Sequence, residues 1–189
     1  INFNDGWLFA PEQLPLDAPD SAFDPVTLPH TNKIFPHHNF DNMEYQFIST
    51  YRKRFTLPEP RNGRRVFLDF DGAMLVTTVY VNGRQVGVNA GGYTPFSFDV
   101  TDVIVENGDN VVTVHLDSTE RPDVPPFGYV VDYLTFGGIY RDVTLRMVEP
   151  VHIKDFFIKP VDVQSDDAYV EVDVFINNTT SQKQQIKLD

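Results

Sequence analysis

Apolar and polar residues alternate along much of this chain. In 169–176 (YVEVDVFI), Val170, Val172, Val174 and Ile176 fall on one face, and Glu171 and Asp173 fall on the other. That period of two marks a half-buried strand. The stretch 111–116 (VVTVHL) places Val112, Val114 and Leu116 on one side in the same way. Strands are also predicted in 65–72 (RVFLDFDG), 74–88 (MLVTTVYVNGRQVGV) and 139–145 (IYRDVTL), while helical periodicity is nearly absent. Between Val81 and Arg84 stands Asn82-Gly83, a two-residue hairpin signal, because both central positions of that turn need positive φ. Further breaks fall at Asn62-Gly63, at 89–92 and at 107–109. Many short strands with such turns predict an all-β chain built as a β-sandwich.

Two regions depart from this rhythm. The first 45 or so residues are rich in Pro, Asp and His with little alternation, and read as a long, strand-poor arm wrapped on the sandwich. Beyond Pro150 about three more strands are expected in 153–189, too few to bury both faces of a sandwich. The expected organisation is therefore one domain over 1–148 and the opening of a second β-domain, cut short, over 149–189.

A length of 189 residues suffices for one all-β core and part of a second. With 27 acidic against 15 basic side chains, the net charge of −12 repels a polyanion, which excludes nucleic acid as a partner. No apolar run approaches the roughly 18 residues needed to span a bilayer, so no membrane partner is expected. The absence of Cys removes disulfides, thiolate metal sites and a cysteine nucleophile. It fits a cytoplasmic or a periplasmic protein equally.

A complete active site is not visible. Asp69 and Asp71 share one strand face and could form an acid/base pair, although a solvated outer face accounts for them more simply. His37 and His38 are adjacent, a spacing that suits surface residues better than metal ligation. The serines lack a nucleophile elbow, and no phosphate-binding loop occurs. Among the aromatics Trp7, Tyr93, Phe96, Phe127, Tyr129 and Tyr133, any could stack on the C–H face of a sugar; Trp7 and Phe96 serve equally well as core. Phe127 and Tyr129 lie in a Pro-rich loop (121–133, RPDVPPFGYVVDY) that leads to Asp132. A loop stiffened by adjacent prolines is a common platform for binding groups. Asp132 itself fits either an Asx turn before Gly137-Gly138 or a carboxylate held outward to accept charge-assisted hydrogen bonds from sugar hydroxyls.

The stretch 136–143 (FGGIYRDV) resembles the Gly-Ile-(Phe/Tyr)-Arg-(Asp/Glu)-Val strand of family 2 glycoside hydrolases, the β-galactosidase group above all. Other pieces follow in the family's order: DGWLF (5–9), LPHT (28–31), YQFISTYRKRF (45–55), VFLDFDGAMLVTTVYVNGRQVG (66–87), GGYTPFSFDVTDVI (91–104) and the run 110–145. The resemblance covers nearly all of 1–148. It implies a jelly-roll, galactose-binding-like sandwich followed by the first strands of an immunoglobulin-like sandwich, with a catalytic barrel elsewhere in the parent chain. That barrel would carry the two catalytic glutamates of a retaining mechanism, so this fragment by itself is expected to be inactive. Asp132 stands ten residues before Asp142, the family's spacing for an acid that reaches the galactosyl pocket, in some members through a bound sodium ion. An Asn from the early arm also reaches that pocket in the family, and His38 and Asn39 compete for its place. The implied substrate-binding set is Asp132, Phe127, Tyr129, His38 and Asn39. No cofactor is expected in the fragment, with Na or Mg in the complete enzyme. The implied partners are a terminal β-galactoside or other sugar, the barrel of the same chain, and a second copy in a homo-oligomer. A free-standing carbohydrate-binding module, or a parent of β-glucuronidase or β-mannosidase type, is the alternative.

Overall fold

The computed structural model describes residues 1–38, 41, 43–128 and 133–188. Alternation produces strands where it was strongest. β1 (Trp7–Ala10), β2 (Asp24–Val26), β3 (Ile48–Phe55), β4 (Arg65–Phe70), β5 (Val76–Val81), β6 (Arg84–Ala90), β7 (Phe96–Asp99), β8 (Asn110–Asp117) and β9 (Val143–Val148) precede a long pair, β10 (Val151–Val161) and β11 (Tyr169–Asn178). Only two short 3-10 turns, Asp20–Ala22 and Thr101–Val103, interrupt the β structure among the described residues. The chain is all-β, as its sequence predicts.

The strands divide into a six-stranded antiparallel sheet, β2-β1-β3-β8-β5-β6, and a three-stranded sheet, β7-β4-β9. Within the larger sheet, Tyr51, Val114 and Val79 stand side by side, as do Lys53, Val112 and Val81. Tyr51, Val79, Val81, Val112, Val114 and Leu116 are fully buried, as are Val66, Leu68 and Phe70 of β4. These two apolar faces supply the core of the sandwich. Asn82 and Gly83 take φ of 50° and 78°, and Val81 pairs with Arg84 across the predicted two-residue turn.

The arm departs from expectation. It contributes β1 and β2 to the edge of the large sheet, with Trp7 opposite both Val26 and Lys53. The run Trp7-Leu8-Phe9-Ala10 is buried on both faces, so it carries no alternation to read. The rest of the arm lies over the polar face of β3 and β8. Thr50 Oγ1 donates to the Glu12 carbonyl at 2.8 Å and accepts from the Leu14 amide at 2.9 Å. His115 Nε2 meets the Leu14 carbonyl at 2.9 Å. Arg52, only 1% exposed, donates to the carbonyls of Pro15, Leu16 and Ala18 and to Asp20. A face that reads as solvent-exposed is thus sealed by backbone acceptors.

Two contact-defined units emerge, one of Ile1–Arg61 with Val66–Arg146, the other of Asn62–Arg65 with Met147–Asp189. In the second, β10 and β11 form an antiparallel hairpin with a register shift between Ile153 and Asp155. Two strands, not three, are present among the described residues after Pro150. Among the described residues the stretch after Asn178 finds no strand partner, and alternation alone cannot make a ladder.

Two histidines link this fold to pH. His30, with Nδ1 2.9 Å from the Tyr51 hydroxyl, and His115 are both half-buried, and burial holds each below the ordinary imidazole value. A folded-state pKa below the unfolded one means that protonation favours unfolding. The contribution is present above about pH 6.5 and is lost as pH falls through the depressed folded values. Urea midpoints are therefore expected to drop between pH 7.5 and 5.5, and the drop to shrink when His30→Gln and His115→Gln are combined. Equal slopes for wild type and double variant would contradict this origin.

Candidate functional site

The segment preceding β9 is threaded between two other backbones. The His30 amide donates to the Ile139 carbonyl at 2.8 Å and the Asn32 amide to Gly137 at 2.9 Å. From the other side, the Met74 amide donates to Gly138 at 3.0 Å. Gly138 has φ of +118°, and a Cβ there would lie 2.4 Å from the His30 carbonyl oxygen. The glycine pair is needed for this close approach. As a result the regular strand begins at Val143 rather than Ile139, because 137–139 bond to the arm and to Met74 instead. Asn32 secures the junction, its Nδ2 donating to the Tyr45 carbonyl at 2.9 Å and to Ser118 Oγ at 3.3 Å.

Beside this junction is a cavity of about 290 Å³. Met74, Leu134 and Phe136 give it apolar lining, and Thr31 and Thr135 add two hydroxyls. Three tyrosines complete it: Tyr93, Tyr133 and Tyr140. The Tyr93 and Tyr133 hydroxyls are 3.2 Å apart, Tyr140 donates to the Gly92 carbonyl, and Thr135 Oγ1 is 2.7 Å from the Tyr45 hydroxyl. Arg141 donates to the Tyr93 carbonyl at 3.1 Å, tying 92–93 to the segment that enters β9. Burial and the Tyr133 hydroxyl raise the Tyr93 pKa, so this phenol stays protonated over the whole working pH range.

The predicted site residues fall unevenly. Asp132, Tyr129 and Asn39 lie outside the described residues. Phe127 is 40% exposed and does not line the cavity. Its loop is nonetheless pinned: the Gly128 amide donates to Glu120 at 2.6 Å, and Arg121 pairs with Asp123 at 3.0 Å. His38 is exposed, its ring 4.2 Å from that of His37. Among the described residues no cluster of three His, Cys, Asp or Glu side chains could hold a metal ion. Asp69 is not a free acid, since Arg146 grips both its oxygens at 2.6 and 2.9 Å. Tyr93 and Tyr133 were readable as stacking candidates. Tyr140, Met74 and Phe136 were not, because they look like strand and core residues until the fold brings 31, 74, 93 and 133–140 together.

Residues 31–149 match the family described as glycosyl hydrolases family 2, sugar binding domain. A β-galactosidase of Thermoanaerobacter pseudethanolicus is 48% identical over 162 residues, covering 83% of this chain and 22% of that protein. A β-glucuronidase of Formosa agariphila is 30% identical over 169 residues, covering 80% of this chain and 17% of that protein. Among solved structures, a calcium-binding mutant of β-glucuronidase 2 of Bacteroides uniformis matches with a TM-score of 0.83 at 29% identity, over 94% of this chain and 22% of that one. The chain spans about a fifth of the length of these relatives. With the family match running over more than half of its residues, and a relative at 48% identity, the chain belongs to glycosyl hydrolase family 2 as a sugar-binding domain.

Proposed function

We propose that this chain is the non-catalytic sugar-binding domain of a retaining β-galactosidase, in which Asp132 completes one side of the galactosyl pocket. The observation that carries the reading is the 48% identity to a β-galactosidase over most of the chain. The two carboxylates that a retaining mechanism needs, about 5 Å apart across the scissile bond, would come from a catalytic barrel in the same parent protein. Asp132 would accept hydrogen bonds from galactosyl hydroxyls; in sequence it falls between the 120–128 loop and the glycine junction. A sodium or magnesium ion would belong to the complete enzyme, with Asp132 as its candidate ligand from this chain. The β10–β11 hairpin exposes Phe156, Ile158, Val170 and Val172, among others. A lone hairpin with that much bare apolar surface is marginal, which supports reading it as the opening of an immunoglobulin-like sandwich.

Hydrogen bonds to a charged acceptor contribute about 1.5–3 kcal/mol. In the full-length enzyme, Asp132→Ala is therefore expected to lower kcat/KM for an aryl β-galactoside by roughly 10- to 100-fold at an unchanged melting temperature. Unaltered turnover would leave the domain a purely structural role. The likeness to β-glucuronidases supports a second reading, in which the parent acts on glucuronides. Comparing kcat/KM for the two aryl glycosides on the wild-type enzyme separates the two.

A further inference from the structure

We propose that the cavity beside the glycine junction is a site for an uncharged aryl group, which in a family 2 glycosidase is the aglycone of the substrate. The word aglycone rests on the reading above; the ring preference rests on the lining alone. At about 290 Å³ the cavity lies at the lower end of small-molecule pockets and has room for roughly one ring. Among the described residues no charged side chain lines it, and the exposed Arg141 nearby directs a guanidinium N–H to the Tyr93 carbonyl. A neutral ligand is therefore favoured over an ionised one.

The hydroxyls decide between a sugar ring and an aromatic one. Among the described residues every lining hydroxyl but that of Thr31 makes a hydrogen bond within the protein: Tyr140 spends its donor on Gly92, and the pairs Tyr93–Tyr133 and Thr135–Tyr45 keep one free O–H each. A pyranose seated here would bury several hydroxyls with few partners to meet them, and each unmet group is costly. An aryl group brings none. It would gain contacts with Phe136 and the tyrosine rings, which favour edge-on or offset partners, and with the polarizable Met74 sulfur. Tyr93, Tyr133 and Phe136 are 39%, 55% and 40% exposed, so these rings are accessible from solvent.

The test is saturation-transfer NMR on the 189-residue chain with phenyl β-D-galactopyranoside and, in parallel, its methyl counterpart. Saturation is expected to reach the phenyl protons more strongly than the sugar protons, and the phenyl glycoside to bind at least about tenfold tighter than the methyl one. Tyr133→Ala, at an exposed position, should weaken phenyl binding several-fold, and Leu134→Trp, which fills the cavity, should abolish it. Thermal melts of both variants confirm that they are folded. Equal affinity for the two glycosides, or saturation centred on the sugar, would overturn the inference and leave the sugar-binding reading standing. Absence of binding by either glycoside would also overturn it, while the proposed function would still be judged by the Asp132→Ala kinetics.

Discussion

Arg52→Met is expected to destabilise the chain by about 3–5 kcal/mol, a loss of roughly 10 °C or more in melting temperature. Arg52 is 1% exposed in the middle of β3, between Leu8 and Thr113 of the neighbouring strands. Its guanidinium donates to Leu16 O at 3.0 Å, Asp20 Oδ1 at 3.1 Å and Pro15 O at 3.4 Å, and to the Ala18 carbonyl, while its carbon sits 4.5 Å from the centroid of Phe23. Replacing a buried ionic cluster with apolar side chains can be neutral when every partner is replaced as well. Here that remedy is closed, since three of the four acceptors are backbone carbonyls of the arm. Met would fill much of the space and leave those carbonyls facing an apolar group. Asp20 provides the contrast. It is partly exposed, and its carboxyl is held below the usual range chiefly by Arg54 at 2.6 Å and also by Arg52. Asp20→Asn should therefore cost no more than about 1 kcal/mol. Thermal melts of both variants check the pair. Similar small shifts would mean that the arm is held by its apolar anchors, Phe23 and Leu28, and that Arg52 merely accompanies them.

The same residue marks a limit of what sequence pattern can reveal. In 50–55 (TYRKRF) three basic side chains stand in a row at 52–54, and their charge suggests that all three meet water. One of the three is instead a fully buried clamp, because the segment that covers it is Pro-rich and irregular and presents carbonyls rather than apolar side chains. Legibility therefore followed local periodicity. The Asn82-Gly83 hairpin and the core face of β8 rest on short-range pattern, and the structure places them as expected. The strands β1 and β2 do not, since one is apolar on both faces and the other contains Pro25. The start of β9 was misplaced because Ile139 to Arg141 alternate well, yet the glycine junction claims the preceding backbone. The cavity was least readable of all. Its lining comes from four stretches separated by up to about a hundred residues, and only the fold assembles them.

Gly138→Ala should be about as damaging as the loss of Arg52, at roughly 2–6 kcal/mol. Two costs combine. At φ of +118° an L side chain is strained by about 1–3 kcal/mol, and forcing an added methyl into a filled space adds about 1–3 more. The neighbours of that methyl would be the His30 carbonyl oxygen at 2.4 Å, the Asn32 nitrogen at 2.8 Å and the Thr31 Cα at 3.0 Å, all backbone. None can swing aside without breaking the bonds that join the arm to 137–139. Gly137→Ala differs in kind, because its methyl would meet Asn32 Nδ2 and Ser118 Oγ, both at 2.4 Å, and side chains can turn away. It should cost about 1–3 kcal/mol, mostly through the Asn32 hydrogen bonds to Tyr45 and Ser118. Hydrogen exchange distinguishes local from global damage. In Gly138→Ala the His30, Asn32 and Met74 amides, which donate to Ile139, Gly137 and Gly138, should lose protection ahead of the β3–β8 core. If Gly138→Ala melts like the wild type, the close approach is dispensable and the glycine pair serves only as a bend. If it fails as expected while Gly137→Ala is milder, the pair is there to let three backbones meet. Thr31, Met74 and Thr135–Phe136 come together at that meeting, and the cavity they help to line depends on it.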